Sequence, residues 1–140
     1  MTRNRASAKK AGTAFETLVA EYLAMKLADI RIARMPRMGK KDRGDIANVR
    51  TVAGGCVVVE CKNTARDALP QWIKEAEVER KNDDEVTGGT VAGVVVHKKH
   101  GSNKGAEQYV TMTLETFTVL LQGGSPNTRH VDSAKEVFEL

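Results

Sequence analysis

The chain has 140 residues and a net charge of +4, with 41% hydrophobic and 29% charged side chains. This length suits one domain with its own core, and the composition is that of a folded protein rather than a disordered one. No apolar run approaches the ~20 residues of a membrane span. Aromatic residues make up only 4% of the chain, which argues against a surface that stacks the bases of single strands.

Residues 1–10 are expected to form a flexible basic arm, followed by a helix over about residues 11–28. Along that helix the apolar side chains recur at helical spacing, at Phe15, Leu18, Val19, Tyr22 and Leu23. A short strand is expected at Ile30–Arg34 and a loop at Met35–Arg43.

Two strands, at about Asp45–Val52 and Cys56–Lys62, flank Gly54-Gly55, a dipeptide typical of a hairpin turn. The second strand contains three consecutive valines, which indicates that both of its faces are covered. A second helix is expected at Leu69–Arg80 and another covered strand at Val91–His97.

A basic loop follows at residues 98–105, then a strand near the sheet edge at Tyr109–Thr113 and a short helix at Leu114–Gln122. Residues 123–140 are expected to form a tail with a short helix after Ser133, since the spacing to Glu136 is that of a capping box. This order predicts an α/β fold in which a single mixed β-sheet is flanked by helices, with the folded domain at residues 11–122.

The two cysteines, Cys56 and Cys61, lie on one expected strand. Side chains that far apart on a strand point to opposite faces, so these two cannot form a disulfide there, and such a pair alone is not a zinc site. The basic amino-terminal stretch also lacks the apolar core of a signal peptide. We therefore expect reduced cysteines in a cytoplasmic protein.

Charged residues are expected to converge at the hairpin. Glu60 and Lys62 point to the same face of their strand, and the hairpin returns the chain beside Asp45. Charges on an otherwise apolar strand are rarely buried unless they are paired or bind a metal. A Glu60–Lys62 ion pair at an exposed strand end is the simpler alternative, but it leaves Asp45 unexplained.

Two carboxylates offer the oxygen ligands that Mg²⁺ prefers. A cation held there polarises a phosphate and lowers the pKa of bound water, while the lysine ammonium can orient that water or stabilise developing charge. Asp45, Glu60 and Lys62 therefore predict a Mg²⁺-dependent phosphodiesterase centre, in which we expect Mn²⁺ to substitute.

Basic residues gather in three stretches of the sequence. A solvated surface would explain any one of them, but three clusters around a carboxylate motif favour contact with the DNA backbone. The side chains expected to contact DNA are Arg34, Arg37, Lys40, Lys41, Arg43, Lys98 and Lys99.

The pattern Asp45…Glu60-Cys61-Lys62 resembles the PD-(D/E)xK motif of the restriction-endonuclease-like nuclease superfamily, with Gly44 in place of the motif's proline. The resemblance implies a restriction-endonuclease-like core. It also implies that Asp45, Glu60 and the backbone carbonyl of Cys61 hold the metal.

The start of the first helix, with Gly12 and Glu16, resembles archaeal-type Holliday junction resolvases, which place a helix glutamate near the metal. Thr17 stands where those enzymes usually have an arginine, and Arg34 resembles an arginine on their preceding strand. Glu16 would then be catalytic, although a glutamate early in a helix also suits the helix dipole. Gln71 is either an exposed helix residue or an accessory residue of the centre. Later stretches resemble small resolvase-like nucleases of bacteriophages.

The expected function is that of a Mg²⁺-dependent endodeoxyribonuclease of the Holliday junction resolvase type, with residues 11–122 as its nuclease domain. Its partner would be branched DNA with a four-way junction, in recombination or repair. Two matched incisions suggest a twofold homodimer. The alternatives are an exonuclease or repair nuclease of the same fold, and a DNA-binding module with a decayed site.

Overall fold

The computed structural model describes residues 4–37 and 39–127. They form a five-stranded mixed sheet flanked by helices, which confirms the predicted fold class. The elements are α1 (Arg5–Lys26), β1 (Ala33–Arg34), β2 (Ile46–Ala47), β3 (Cys56–Lys62), α2 (Leu69–Thr87), β4 (Thr90–His97), a 3₁₀ turn (Gly105–Glu107), β5 (Tyr109–Thr111) and α3 (Leu114–Leu121). The tail helix predicted after residue 133 lies outside the described residues.

The strands follow one another across the sheet in chain order, and only β3 and β4 are parallel. Helix α1 covers one face of the sheet, where the largest apolar cluster contains Phe15, Val19, Ala20, Ile32, Ile46, Val49, Val59, Val94 and Val96. Helix α2 covers the other face, where Trp72 and Ala76 pack with Val95. The two central strands, β3 and β4, are thus covered on both faces, as their valine runs predict.

Helix α1 begins at Arg5, so the prediction of a flexible arm through residue 10 is wrong for residues 5–10. Asn4 caps the helix, because its side-chain oxygen accepts a 2.8 Å hydrogen bond from the Ser7 N–H. Residues 4–10 are all exposed. Apolar periodicity could not detect this part of the helix, because none of it packs on the core.

Helix α2 continues to Thr87, seven residues beyond its predicted end at Arg80. It ends where Gly88 adopts a left-handed conformation with φ of 71°, the usual conformation of a glycine that follows a helix. The extension is polar in sequence, yet Asp83 within it is buried.

No helix within the described ranges is long and apolar enough to cross a membrane.

The hairpin between β2 and β3 is confirmed, but its first strand is short and irregular. Pairing of Ile46 with Val59 and of Arg50 with Cys56 differs in register by one residue. Between them Asn48 has a φ of 67°, which is typical of a β-bulge. The bulge lets Ile46 and Val49 both face the core, which strict alternation would not allow.

Gly44 precedes Asp45 and cannot be replaced freely. Its φ is +93°, and an added Cβ would lie 2.8 Å from Val58 Cγ1 and 3.2 Å from the Val59 carbonyl oxygen. The proline of the nuclease motif, with φ near −65°, could not adopt this conformation. Glycine at this position is therefore a requirement of the backbone that carries Asp45.

Gly44→Ala should be strongly destabilising. The left-handed backbone costs about 1–2 kcal/mol for a residue with a side chain, and the contact with Val58 adds about 1–3 kcal/mol of overpacking. Gly54→Ala is the matched control, since its φ is +92° and an added Cβ meets nothing within 4 Å. Denaturant unfolding of both variants measures the difference, and equal losses would contradict the contact at Gly44.

Candidate active site

Strand β3 directs Glu60 and Lys62 toward α2, as its alternation predicts, while Cys61 packs on the α1 side. Glu60 is only 7% exposed. The Lys62 ammonium lies 2.7 Å from Glu75 Oε2 on α2 and 4.0 Å from Glu60 Oε1. The nearest anionic partner of Lys62 is therefore Glu75, so a simple Glu60–Lys62 pair does not describe the site.

Asp45 is held across from Glu60 by the β2–β3 register, in which Ile46 pairs with Val59. Its N–H donates to the Val59 carbonyl at 2.8 Å. Its side-chain Oδ2 accepts a 2.7 Å hydrogen bond from the Cys61 N–H. The carboxylate of Asp45 is thus fixed by backbone contacts beside Glu60, where the sequence predicted it.

Two more carboxylates complete the acidic cluster on the other side of Glu60. Glu79 projects from α2 and is 6% exposed. Asp42 lies in the loop before Gly44, whose N–H donates a 2.9 Å hydrogen bond to Asp42 Oδ1. One carboxylate oxygen from each of Asp42, Glu60 and Glu79 lies within 4.8 Å of the others.

Glu16 of α1 reaches the centre from the opposite face of the sheet. Burial raises the pKa of its carboxyl, and the neighbouring Asp45 raises it further. The Arg34 guanidinium, 3.4 Å from Glu16 Oε2, acts in the opposite direction. The structure therefore brings Glu16, Asp45, Glu60 and Lys62 together, as the sequence predicted.

The cluster carries more negative charge than its own cations neutralise. Burial, with hydrogen bonding to Glu79 and Asp45, raises the pKa of Glu60 to about 11. Burial and the charges of Asp42 and Asp45 raise the pKa of Glu79 to about 7, although its hydrogen bond with Glu60 lowers it. Burial lowers the pKa of Lys62, but Glu75 and Glu60 outweigh that effect and raise it.

The donor set fits a hard divalent cation. Oε2 of Glu60 and Oε2 of Glu79 are buried and accept no hydrogen bond from any donor in the described part of the chain. Unsatisfied buried carboxylate oxygens are costly, and carboxylate oxygens are the ligands that Mg²⁺ takes. Asp45 and Glu60 could hold such an ion, with Glu16 beside them. The Cys61 carbonyl stays a predicted ligand, whereas the Cys61 N–H donates to Asp45 Oδ2.

A groove of about 780 Å³ opens onto this centre. Glu16, Asp42 and Asp45 line one part of it. Strand β1 contributes Arg34, and the loop before Asp45 supplies the rest of the lining, which is rich in basic residues and includes Arg37, Lys40, Lys41 and Arg43. Five of the seven predicted DNA-contacting residues thus line one groove beside the carboxylates.

The basic residues of the groove differ in the ion pairs that they form within the protein. The Arg43 guanidinium is half-buried and lies 2.7 Å from Asp83 Oδ1, so it anchors the loop to α2. Lys41 pairs with Glu85 at 2.9 Å, but both side chains are 63% exposed, and such pairs contribute little. Arg37 and Lys40 are exposed.

Lys98 and Lys99 lie outside this groove lining. The Lys98 N–H donates to the Lys62 carbonyl oxygen at 3.0 Å, which places the residue at the end of β4 near the centre. Its ammonium, however, donates to the Ser102 carbonyl and to Asn103 Oδ1 within its own loop. The Lys99 N–H donates to Gln108 Oε1 at 2.7 Å. Contact of Lys98 and Lys99 with DNA stays a prediction.

Gln71 is exposed at the start of α2, and its side-chain amide donates to Glu75 Oε1 at 3.2 Å. Since Glu75 Oε2 accepts from Lys62 at 2.7 Å, the chain Gln71–Glu75–Lys62 leads into the centre. Gln71 is thus an exposed helix residue that is linked to the centre through Glu75, and its accessory role stays a prediction.

Sequence reasoning missed Asp42, Glu75 and Glu79. The signal for Glu79 lies in the spacing of α2, where the buried positions are Trp72, Ala76, Glu79 and Asp83. Extending the predicted apolar stripe by two turns places carboxylates at core positions, which marks them as functional or paired. Glu75 and Asp42 have no comparable signal, because each is an ordinary acidic residue on a polar stretch.

No family model matches the chain, and no curated protein or solved structure gives a significant match. Function must therefore be inferred from the side chains of this centre and from the groove.

The raised pKa values of Glu16, Glu60 and Glu79 predict how stability depends on pH when no cation is present. The folded protein binds these protons more tightly than the unfolded chain does, so the free energy of unfolding falls as pH rises. The loss begins near the ordinary value of 4.5, continues through about 7 for Glu79 and extends toward about 11 for Glu60.

In EDTA at pH 8, Glu60→Gln should therefore unfold with a free energy about 1–2 kcal/mol higher than that of the wild type, because its side chain never ionises. At pH 4 the two proteins should be alike, because both side chains are then neutral. The control is Glu21→Gln, at an exposed glutamate of α1 that forms no ion pair among the described residues, and it should show no such pH dependence. A Glu60→Gln variant less stable than the wild type at pH 8 would refute this account.

Proposed function

We propose that the chain is a metal-dependent DNA endonuclease that acts on branched DNA, in the manner of the Holliday junction resolvases and other nucleases with a PD-(D/E)xK motif. The observation that carries the proposal is the convergence of Asp45, Glu60 and Lys62 beside Glu16, at a groove lined by basic residues. Carboxylates alone would repel DNA, and a basic groove alone would only bind it.

The residues divide the work by position. Asp45 and Glu60 would hold Mg²⁺ or Mn²⁺, which when bound polarises a phosphate and acidifies water. Glu75 holds the Lys62 ammonium at 2.7 Å. The ammonium therefore has a fixed position and does not form a close ion pair with Glu60. An ammonium fixed there can stabilise charge that develops on a phosphate oxygen.

The groove favours recognition of backbone and shape over recognition of bases. Its lining contributes arginine and lysine side chains from β1 and the loop that follows it, and such groups contact phosphates without reading sequence. The described residues contain no helix-turn-helix or other base-reading module. Branched DNA, which presents several backbones at once, suits such a surface, and paired cuts would require a homodimer.

Cleavage assays on a labelled four-way junction, a linear duplex and a single strand test the proposal, each with Mg²⁺ and with EDTA. We expect cutting of the junction only with Mg²⁺. Asp45→Asn should lower the rate by orders of magnitude, because losing a metal ligand removes several kcal/mol of transition-state stabilisation. Binding of the junction by Asp45→Asn should persist.

Lys62→Met serves as a second variant, and it should bind DNA and cut slowly. Progressive shortening of linear ends would instead identify an exonuclease. Tight binding by the wild type with no cleavage of any substrate would leave only a DNA-binding module and refute the enzymatic proposal.

The groove predicts a defined salt dependence of DNA binding. Replacing Arg37 and Lys40 with alanine should lower the slope of log K against log salt by about 1–2, since each lost phosphate contact is worth roughly 0.9. Arg43 should be left in place because it anchors the loop to Asp83. The matched control replaces Lys26 and Lys74, which are exposed and do not line the groove. Equal slopes for the two double variants would place the DNA elsewhere.

A further inference from the structure

Two buried carboxylates on α2, those of Asp83 and Glu79, differ in whether a cation neutralises them. Asp83 is 6% exposed, and it is paired with the Arg43 guanidinium at 2.7 Å and accepts a 2.7 Å hydrogen bond from the Thr90 hydroxyl. Glu79, one turn earlier, is equally buried. Among the described residues no lysine or arginine forms an ion pair with Glu79. The described part of the chain therefore supplies a cation to Asp83 but not to Glu79.

The oxygens around Glu79 are arranged as a ligand set. One oxygen from each of Asp42, Glu60 and Glu79 lies within 4.8 Å of the other two. Oε2 of Glu60 and Oε2 of Glu79 are buried without a hydrogen-bond donor in the described ranges. The three ligands come from a loop, a strand and a helix, so their convergence is not a by-product of one element.

The ammonium of Lys62 is shared between this cluster and Glu75, and Glu75 holds it more closely. It lies 2.7 Å from Glu75 and 4.0 Å from Glu60. Asp42 forms no ion pair within the described chain, and its residue is exposed and lines the groove. An ion could thus enter from solvent past Asp42 and reach Glu79 and Glu60 behind it.

We propose that Asp42, Glu60 and Glu79 form a second divalent-cation subsite, on the α2 side of Glu60 and apart from Asp45 and Glu16. Three carboxylate oxygens select a hard cation such as Mg²⁺, Mn²⁺ or Ca²⁺. Glu60 is shared by both subsites. The ion would also join the loop that carries Lys40, Lys41 and Arg43 to α2. The subsite rests on binding geometry and does not require that the protein cut DNA.

Counting bound Mn²⁺ on the full chain tests the inference, with free Mn²⁺ followed by electron paramagnetic resonance. The wild type should bind two ions. Glu79→Gln and Asp42→Asn should each bind one, with affinity for the other lowered about tenfold or more. Asp45→Asn should also lose one ion, and the double variant Asp45→Asn with Glu79→Gln should lose both.

Glu77→Gln is the matched control, since it is the same substitution two positions away on an exposed side chain of α2, and it should still bind two ions. Asp42→Asn guards against misfolding, because Asp42 is exposed and asparagine keeps the acceptor for the Gly44 N–H. Two ions bound by Glu79→Gln, or one ion bound by the wild type and retained by Glu79→Gln, would overturn the subsite.

The experiments test the cation subsite and the proposed nuclease activity separately. A wild type that binds two ions, of which Glu79→Gln loses one, but cuts no DNA supports the subsite while refuting the nuclease. A wild type that cuts the junction, with unchanged Mn²⁺ binding in Glu79→Gln, overturns the subsite while leaving the nuclease standing.

Discussion

The burial of one carboxylate, that of Glu60, is the constraint on which the rest of this site depends. A charged group buried on a central strand costs several kcal/mol unless something neutralises it. The surroundings supply that neutralisation only in part, because Lys62 lies 4.0 Å from Glu60 but 2.7 Å from Glu75, and the other neighbours of Glu60 are acidic. The fold therefore brings several carboxylates together, and their remaining negative charge can be neutralised only by protons or by a bound cation. Metal-binding centres share this property.

The loop before Asp45 connects this charge to the outer surface. Its end is fixed by Gly44, where only glycine fits the backbone, and by Arg43, which is bound to Asp83. Between those anchors and β1 the same loop presents the basic lining of the groove. A single segment thus sets both the position of Asp45 and the position of the cations that would meet a phosphate backbone, so the two cannot shift independently.

The sequence predicted the sheet, its two covered strands and the meeting of Asp45, Glu60 and Lys62, because these follow from alternation and from one glycine turn. It did not predict the first turns of α1, which carry no apolar stripe, or the bulge at Asn48, which breaks alternation. The positions of Glu75 and Asp42 in the site could not be predicted from the sequence either, since they arise from packing between α2, β3 and a loop. Glu79 could have been predicted, because it occupies a core position in the spacing of its helix.

The stripe of α2 has a consequence for local unfolding. Its first half is anchored by Trp72 and Ala76 against Val95, whereas the buried positions of its second half are Glu79 and Asp83. Apolar burial holds the first half, whereas the second half is held by the ion pair of Asp83 with Arg43 and by the hydrogen bonds of Asp83 and Asp84 with Thr90. The carboxyl-terminal turns of α2 should therefore form a separate unit of low local stability. The free energy of their local unfolding would depend on pH and on bound cations. Local unfolding of this part of the helix would therefore show whether the acidic cluster is neutralised.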